Sequence, residues 1–328
     1  TGTTTANFTF NDGTLDIATL NMTRNTGAYS GTATSNVTIG GGATTIDSLA
    51  MALNTSSGAG SAVASFNVSG GTVTIGTGSG TAINMANAST GRIATSSINL
   101  TGGTVNVTGN VIRNGGAGTE NATVTLNGAT LNMSGYGMGT SGQSINFAAQ
   151  AGSLSNLGEL NGGGVLEKTT SGTLVLGDGN LYSGGTLVSA GTLLVNNTSG
   201  SGTGSGDLSV ANGGTLGGSG IVASSNTSAA VTIQGLLDVG NPGDTGGADL
   251  AFNLTGGSSS ISLGGIVQLD LWSGLGLGGG VGTAFSDQLW LSANSIDLIG
   301  STLKLTNSSG MSNSTFAVGD TWKLFDWN

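Results

Sequence analysis

Few residues of this chain carry side chains able to make or break bonds, and they are scattered. Its 328 residues include no His and no Cys, and 16 acidic side chains stand against 6 basic ones. General acid–base and nucleophilic catalysis draw mainly on His, Cys and paired carboxylates, so His-type serine triads are excluded and carboxylate chemistry alone is left. A polysaccharide-cleaving site would need two or more acids with a Lys or Arg close by. Glu167-Lys168 is the one acidic–basic neighbour pair in its segment. Successive residues of a strand point to opposite faces, so the pair reads as a solvated turn rather than a dyad. The chain is expected not to be an enzyme.

Hard cations prefer several oxygen ligands from loops, which makes Asp178 in GDGN and Asp244 and Asp249 in NPGDTGGAD weak metal candidates. Neither segment has EF-hand spacing or the calcium-binding nonapeptide, and Asp turn chemistry accounts for both. Asp12, Asp16 and Asp47 read likewise as turn or outward strand residues. The Gly clusters GGGV, GLGLGGG and SGSGTGSG lack the helix and Lys-Ser/Thr of a phosphate loop, so no cofactor is expected. Arg24, Arg92, Arg113, Lys168, Lys304 and Lys323 stand singly in a chain of net charge −10, which argues against nucleic acid and anionic lipid. No apolar run long enough to cross a bilayer is present, so membrane insertion by this chain is not expected. Asn-x-Ser/Thr triplets at Asn7, Asn36, Asn121 and Asn226 are glycan acceptors in a suitable cell, though such triplets also arise by chance in so Asn-, Ser- and Thr-rich a chain.

The elements that position these residues follow from a repeat. Only 7% of residues are charged, 64 are Gly and one is Pro, yet 36% are hydrophobic, enough apolar material to bury a core. An alternating apolar strand, a Gly with a small residue, and a second alternating strand recur as NFTFNDGTLDI (7–17), SNVTIGGGATTI (35–46), SFNVSGGTVTI (65–75), SINLTGGTVNV (97–107) and ATVTLNGATLNM (122–133). The residue after the turn falls at positions 14, 43, 72, 104 and 130, in steps of 29, 29, 32 and 26. A third apolar strand is expected in each copy: Leu20 and Met22, then Leu49, Met51 and Leu53, then Ile83 and Met85, then Val111, and later Ile145 and Phe147. Alternation sends Phe8/Phe10, Val73/Ile75 and Val105/Val107 inward and leaves Thr, Asn and Ser outside, as in Thr72/Thr74, Thr104/Asn106 and Thr130/Asn132. The fold class expected is an all-β, right-handed parallel β-helix (β-solenoid) with three short strands per coil, because only stacking can bury such a face. Residues 1–156 form N-terminal coils of period about 29, and 157–328 a second solenoid region.

In that second region Gly164-Val-Leu-Glu-Lys168, Gly172-Thr-Leu-Val-Leu176, Asn180-Leu-Tyr182-Ser-Gly-Gly-Thr186 and Ala190-Gly-Thr-Leu-Leu-Val-Asn196 resemble the autotransporter-associated β-strand repeat of bacterial surface and secreted proteins. The resemblance implies a passenger-type β-helix exported by a Gram-negative bacterium and placed at the cell surface or outside the cell. The membrane barrel that anchors a true autotransporter is not part of this chain, and the route of export and anchoring stays open. All four Trp lie in the last 60 or so residues, with Phe285, Phe316 and Phe325. Two readings are open: a cap that closes the core, or a docking surface that adds to another sheet edge. The interface candidates are therefore Phe8, Phe10, Trp272, Trp290, Trp322, Phe325 and Trp327. The function expected is an extracellular structural subunit that self-associates head to tail into a filament or surface layer. The alternative is a monomeric adhesin that binds surface glycans.

Overall fold

A computed structural model describes residues 2–28, 30–242, 244, 247–272, 285–307 and 324–327. The described residues contain strands and no helix, as a Gly- and Thr-rich, alternating sequence dictates. They divide into two compact units, Thr1–Leu166 with Leu181–Ser183, and Glu167–Asn180 with Gly184–Asn328.

Unit 1 holds β1 (Thr4–Phe10), β2 (Thr14–Asn25), β3 (Ala33–Ile39), β4 (Ala43–Asn54), β5 (Ser61–Ile75), β6 (Thr81–Ala88), β7 (Ile93–Val107), β8 (Asn110–Arg113), β9 (Thr119–Asn132) and β10 (Asn146–Ser155). Pairing is parallel and follows the repeat. Phe8 stacks on Val37, Val37 on Phe66, Phe66 on Ile98 and Ile98 on Val124. On the next face Thr14, Ala43, Thr72, Thr104 and Thr130 align in one column. These columns reproduce the steps of 29, 29, 32 and 26 read from the sequence, so each repeat is one coil of a parallel β-solenoid. Val37, Phe66, Ile98 and Val124 are buried, as stacked inward rows must be.

The third face departs from expectation in its last two members. Leu20, Leu49, Ile83 and Val111 stack as expected, but the next two places are taken by Met138 and Leu160. Phe147, expected on this face, pairs instead with Val124 on the first face, and Ile145 is buried just before it. The chain between Met133 and Ile145 turns at Gly135, Gly139 and Gly142, all at positive φ, and this extra turn shifts the strand that follows. A second surprise is the corner inside β2, β4 and β6. Thr23, Ala52 and Ala86 adopt left-handed backbone with φ of 49°, 51° and 43°, where the sequence shows no Gly.

Unit 2 begins within β11 (Leu166–Lys168) and continues through β12 (Thr173–Leu176), β13 (Thr186–Val188), β14 (Gly191–Val195), β15 (Leu208–Val210), β16 (Gly214–Gly218), β17 (Ile221–Ser224), β18 (Ala230–Ile233) and β19 (Leu236–Val239). It ends with β20 (Asp249–Leu254), β21 (Ser260–Leu263), β22 (Ile266–Trp272), β23 (Phe285–Ser286), β24 (Gln288–Ser292), β25 (Ser295–Asp297), β26 (Thr302–Asn307) and β27 (Phe325–Trp327). Three parallel rows result: β12–β14–β16–β19–β22–β26, then β13–β15–β18–β21–β25, then β17–β20–β24–β27. The core column Leu174, Leu193, Leu216, Leu237, Val267 and Leu303 advances by unequal numbers of residues, because the loops between strands differ in length.

One corner of unit 1 shows what stacking demands. Gly13, Gly42, Gly71 and Gly103 have φ between 73° and 86° in successive coils. A Cβ on Gly71 would lie 2.4 Å from the Gly42 carbonyl oxygen, whereas one on Gly13 would meet nothing within 4 Å. Gly13→Ala should therefore cost only the left-handed penalty of about 1–2 kcal/mol, and Gly71→Ala distinctly more, since backbone must move as well. Urea unfolding of the two variants checks this, and equal losses would contradict the stacked-corner account.

Candidate self-association edge

Among the described residues the first coil is built like the others and pairs with the second coil on one side. Among the described residues β1 pairs with β3 and β2 with β4, and no strand pairs with their other edges. The Thr4 N–H donates to the Thr32 carbonyl, and the Phe10 carbonyl accepts from Gly40 N–H, both at the β3 side. Parallel-strand alternation then turns the N–H and C=O groups of Thr5, Asn7 and Thr9 to the open side.

The apolar row is open as well. Phe8 is 46% exposed and Leu15, Ile17 and Leu20 are half-buried, while their coil-two counterparts Val37, Thr44, Ile46 and Leu49 are buried. Phe8, Leu15, Ile17 and Leu20 with Val37, Ile39 and Ile46 line an entirely apolar hollow of about 260 Å³. The Phe10 ring, half-buried, lies over the corner at Gly42. On the outer face Asn36 Nδ2 donates to Asn7 Oδ1 at 2.9 Å, and the same rung recurs as Asn99 to Asn67 at 2.8 Å and Ser97 to Ser65 at 3.0 Å. The coil thus presents unpaired strand edges, an uncovered core row and the end of a polar ladder. These are the three things that one coil offers the next.

The aromatic candidates in unit 2 fall differently. Trp290 lies in β24 and is half-buried, and β27 places Phe325, also half-buried, beside Leu289 and Trp327 beside Leu291. Trp272 ends β22, while Trp322 lies outside the described residues. The sequence reading missed Leu303 and Leu305. Both stand over buried Val267 and Leu269 in the core column yet are 47% and 48% exposed.

The metal candidates are not brought together. Asp178, Asp244 and Asp249 are all exposed, and Asp244 accepts hydrogen bonds from Asn241 within its own turn. Among the described residues no group of three or more acidic side chains is placed to hold a metal ion.

The Glu167-Lys168 pair is not a solvated turn. Glu167 is exposed, but Lys168 is fully buried on the opposite side of β11. Its ammonium donates to the Thr170 carbonyl, to Thr170 Oγ1 at 3.2 Å and to the Ala190 carbonyl at 3.3 Å. Burial holds its pKa below the ordinary lysine value. Three donors meet three acceptors, so the side chain closes a corner of unit 2. Glu159, also missed, closes a corner of unit 1. Burial pushes its pKa up, but hydrogen bonds from Ser183 Oγ and from the amides of Ser183, Leu160 and Gly163 outweigh this and hold it below the ordinary glutamate value. It ties Leu181–Ser183 to the coil before it.

Lys168→Met keeps the aliphatic stem and removes the donors, leaving the Thr170 and Ala190 carbonyls without this partner. Unfolding of the variant should show a loss of about 2 kcal/mol or more, and a loss under about 0.5 kcal/mol would show the ammonium to be dispensable.

No protein-family model, no curated protein and no solved structure matches this chain.

Proposed function

We propose that this chain is an extracellular structural protein, a β-solenoid subunit that self-associates head to tail through the open edge of its first coil. The observation that carries this is the combination at β1 and β2 of outward backbone groups on Thr5, Asn7 and Thr9 with an uncovered apolar row. An unpaired parallel edge is a template for strand addition, and buried apolar area would supply the driving force. With few charged residues in the chain, and Asp12, Asp16 and Arg24 those of the first coil, electrostatic repulsion opposes stacking weakly. The exposed Leu303 and Leu305 in unit 2 supply a second uncovered core row of the kind a head-to-tail contact requires. The resemblance of 164–196 to autotransporter-associated repeats supports placement at a bacterial surface. The acidic and basic groups of the described corners are spent on structure, which supports a non-enzymatic role.

A second reading, a monomeric adhesin that binds neutral glycans, is favoured by one feature of unit 1. A cleft of about 520 Å³ is lined by Arg113, Asn121, Thr123, Ser144, Asn146 and Asn161, all able to hydrogen-bond hydroxyl groups. Its acid, Glu120, is paired to Arg113 at 3.6 Å and nearly buried, so the lining is electrically neutral.

The first reading makes a specific prediction. Proline at positions 5 and 9 removes only N–H groups that point to the open side, so Thr5→Pro/Thr9→Pro should fold while blocking strand addition. Sedimentation velocity and negative-stain microscopy should show wild-type end-to-end assemblies that lengthen with concentration, and association at least about tenfold weaker in the variant. Isolated wild-type particles at high concentration would overturn the proposal and leave the glycan-binding reading.

A further inference from the structure

The β25–β26 coil of unit 2 has the same plan as the β1–β2 coil of unit 1. β25 leads through a turn with Gly300 at a φ of 86° into β26, as β1 leads through Gly13, also at 86°, into β2. Among the described residues β25 pairs with β21 alone and β26 with β22 alone. Ile296 stands over buried Ile261, and Leu303 and Leu305 stand over buried Val267 and Leu269. On the other side this apolar row is uncovered: Leu298, Leu303 and Leu305 are 39%, 47% and 48% exposed, and Ile296 is half-buried.

The two uncovered rows are spaced alike. Phe8, Phe10, Leu15 and Ile17 advance by two, five and two residues, and Ile296, Leu298, Leu303 and Leu305 do the same. Laid on one another in that register, Thr14-Leu-Asp-Ile17 falls on Thr302-Leu-Lys-Leu305, with acidic Asp16 against basic Lys304. Both are exposed on the outer side of their strands, and the Lys304 ammonium is held there by Gln268 Oε1 at 2.7 Å. A slip of one residue would turn the apolar side chains outward. A slip of two would set Asp16 against Thr306 and Phe10 against Gly300.

The backbone groups mesh in the same register. The Thr302 N–H donates back to the Gly265 carbonyl at 2.9 Å, as the Ala43 N–H donates back to the Gly13 carbonyl at 2.9 Å. Alternation along a parallel ladder therefore turns the N–H and C=O groups of Leu303 and Leu305 to the open side of β26, and those of Thr14 and Asp16 to the open side of β2. The Ser295 N–H likewise donates back to the Ser259 carbonyl at 3.1 Å, which leaves the groups of Ile296 open opposite Asn7 and Thr9. In register, the Thr14 and Asp16 amides reach the Ser301 and Leu303 carbonyls, and the Leu303 and Leu305 amides reach the Thr14 and Asp16 carbonyls.

We propose that the β25–β26 coil of one copy receives the β1–β2 coil of the next, in parallel and in the register that sets Leu15 on Leu303 and Asp16 against Lys304. The inference rests on self-association through the first coil and names the other half of that contact. Apolar burial and backbone pairing drive it, and the cross-strand pair of opposite charge selects the register.

Carbodiimide, which joins a carboxylate to an amine without a spacer, tests the register in the wild-type chain. A concentrated mixture of isotope-labelled and unlabelled chains is cross-linked and its joined peptides are mapped by mass spectrometry. The expected product links Asp16 of one isotopic form to Lys304 of the other, and fades on dilution. Asp16→Lys should weaken association about fivefold or more at low salt, and mixing that variant with Lys304→Glu should restore it, because each then meets the opposite charge. Assembled wild-type chains in which Asp16 is joined to a different amine, or to none, overturn the register and leave self-association standing. Wild-type chains that stay isolated overturn both.

Discussion

Backbone hydrogen bonds between coils are the constraint from which the other features follow. A strand of a parallel solenoid satisfies half of its N–H and C=O groups with the coil below and half with the coil above, and none within itself. A coil is therefore stable only as a member of a stack, and its two neighbours must match its register residue by residue. The columns from Phe8 to Val124 and from Thr14 to Thr130 are that match, held through steps of 29, 29, 32 and 26 residues. Insertions of a few residues are absorbed in loops, because only the strand register is fixed. The same constraint makes an end coil chemically incomplete. Among the described residues the groups of β1 and β2 that meet no partner and the row with Phe8, Leu15, Ile17 and Leu20 lie together, and the proposed self-association rests on that coincidence.

Close stacking also decides what the corners hold. Where carbonyls crowd, the chain uses glycine, as at Gly71, or encloses a small residue in left-handed backbone, as at Ala52 and Ala86. Where a corner leaves carbonyls or amides without a strand partner, a charged side chain turns in to meet them. Lys168 supplies donors to Thr170 and Ala190, Glu159 accepts from Ser183 and its neighbours, and Asp287 accepts from Ala248 and Asp270. Burying a charge is costly unless it is hydrogen-bonded, and buried Lys168 and Asp287, like half-buried Glu159, each have at least two partners.

The shaft of unit 1 was legible because its signals are local. Alternation, a turn glycine and a near-constant spacing assign inward and outward faces with no knowledge of distant residues. The Thr23–Ala52–Ala86 corner was hidden because Thr and Ala carry no sequence signature of left-handed backbone. Phe147 was misassigned because the glycines at 135, 139 and 142 add a turn that a simple count of apolar strands does not register. Lys168 and Asp287 escaped for a related reason. A lone charged residue normally points outward, and the partners that draw these two inward include backbone groups distant in sequence, the Ala190 carbonyl for Lys168 and the Ala248 and Asp270 amides for Asp287. Phe8 and Phe10 were singled out in the sequence as aromatic residues, but the exposure of Phe8 among the described residues follows from stacking, which no local signal carries.

The central claim is that a second copy completes the first coil. The most direct measurement is hydrogen exchange of the Thr5, Asn7 and Thr9 amides in dilute and in concentrated protein. The account predicts that these three exchange freely when the protein is dilute and gain protection on concentration, toward that of the inner strands. Fast exchange of all three in assembled particles would contradict it.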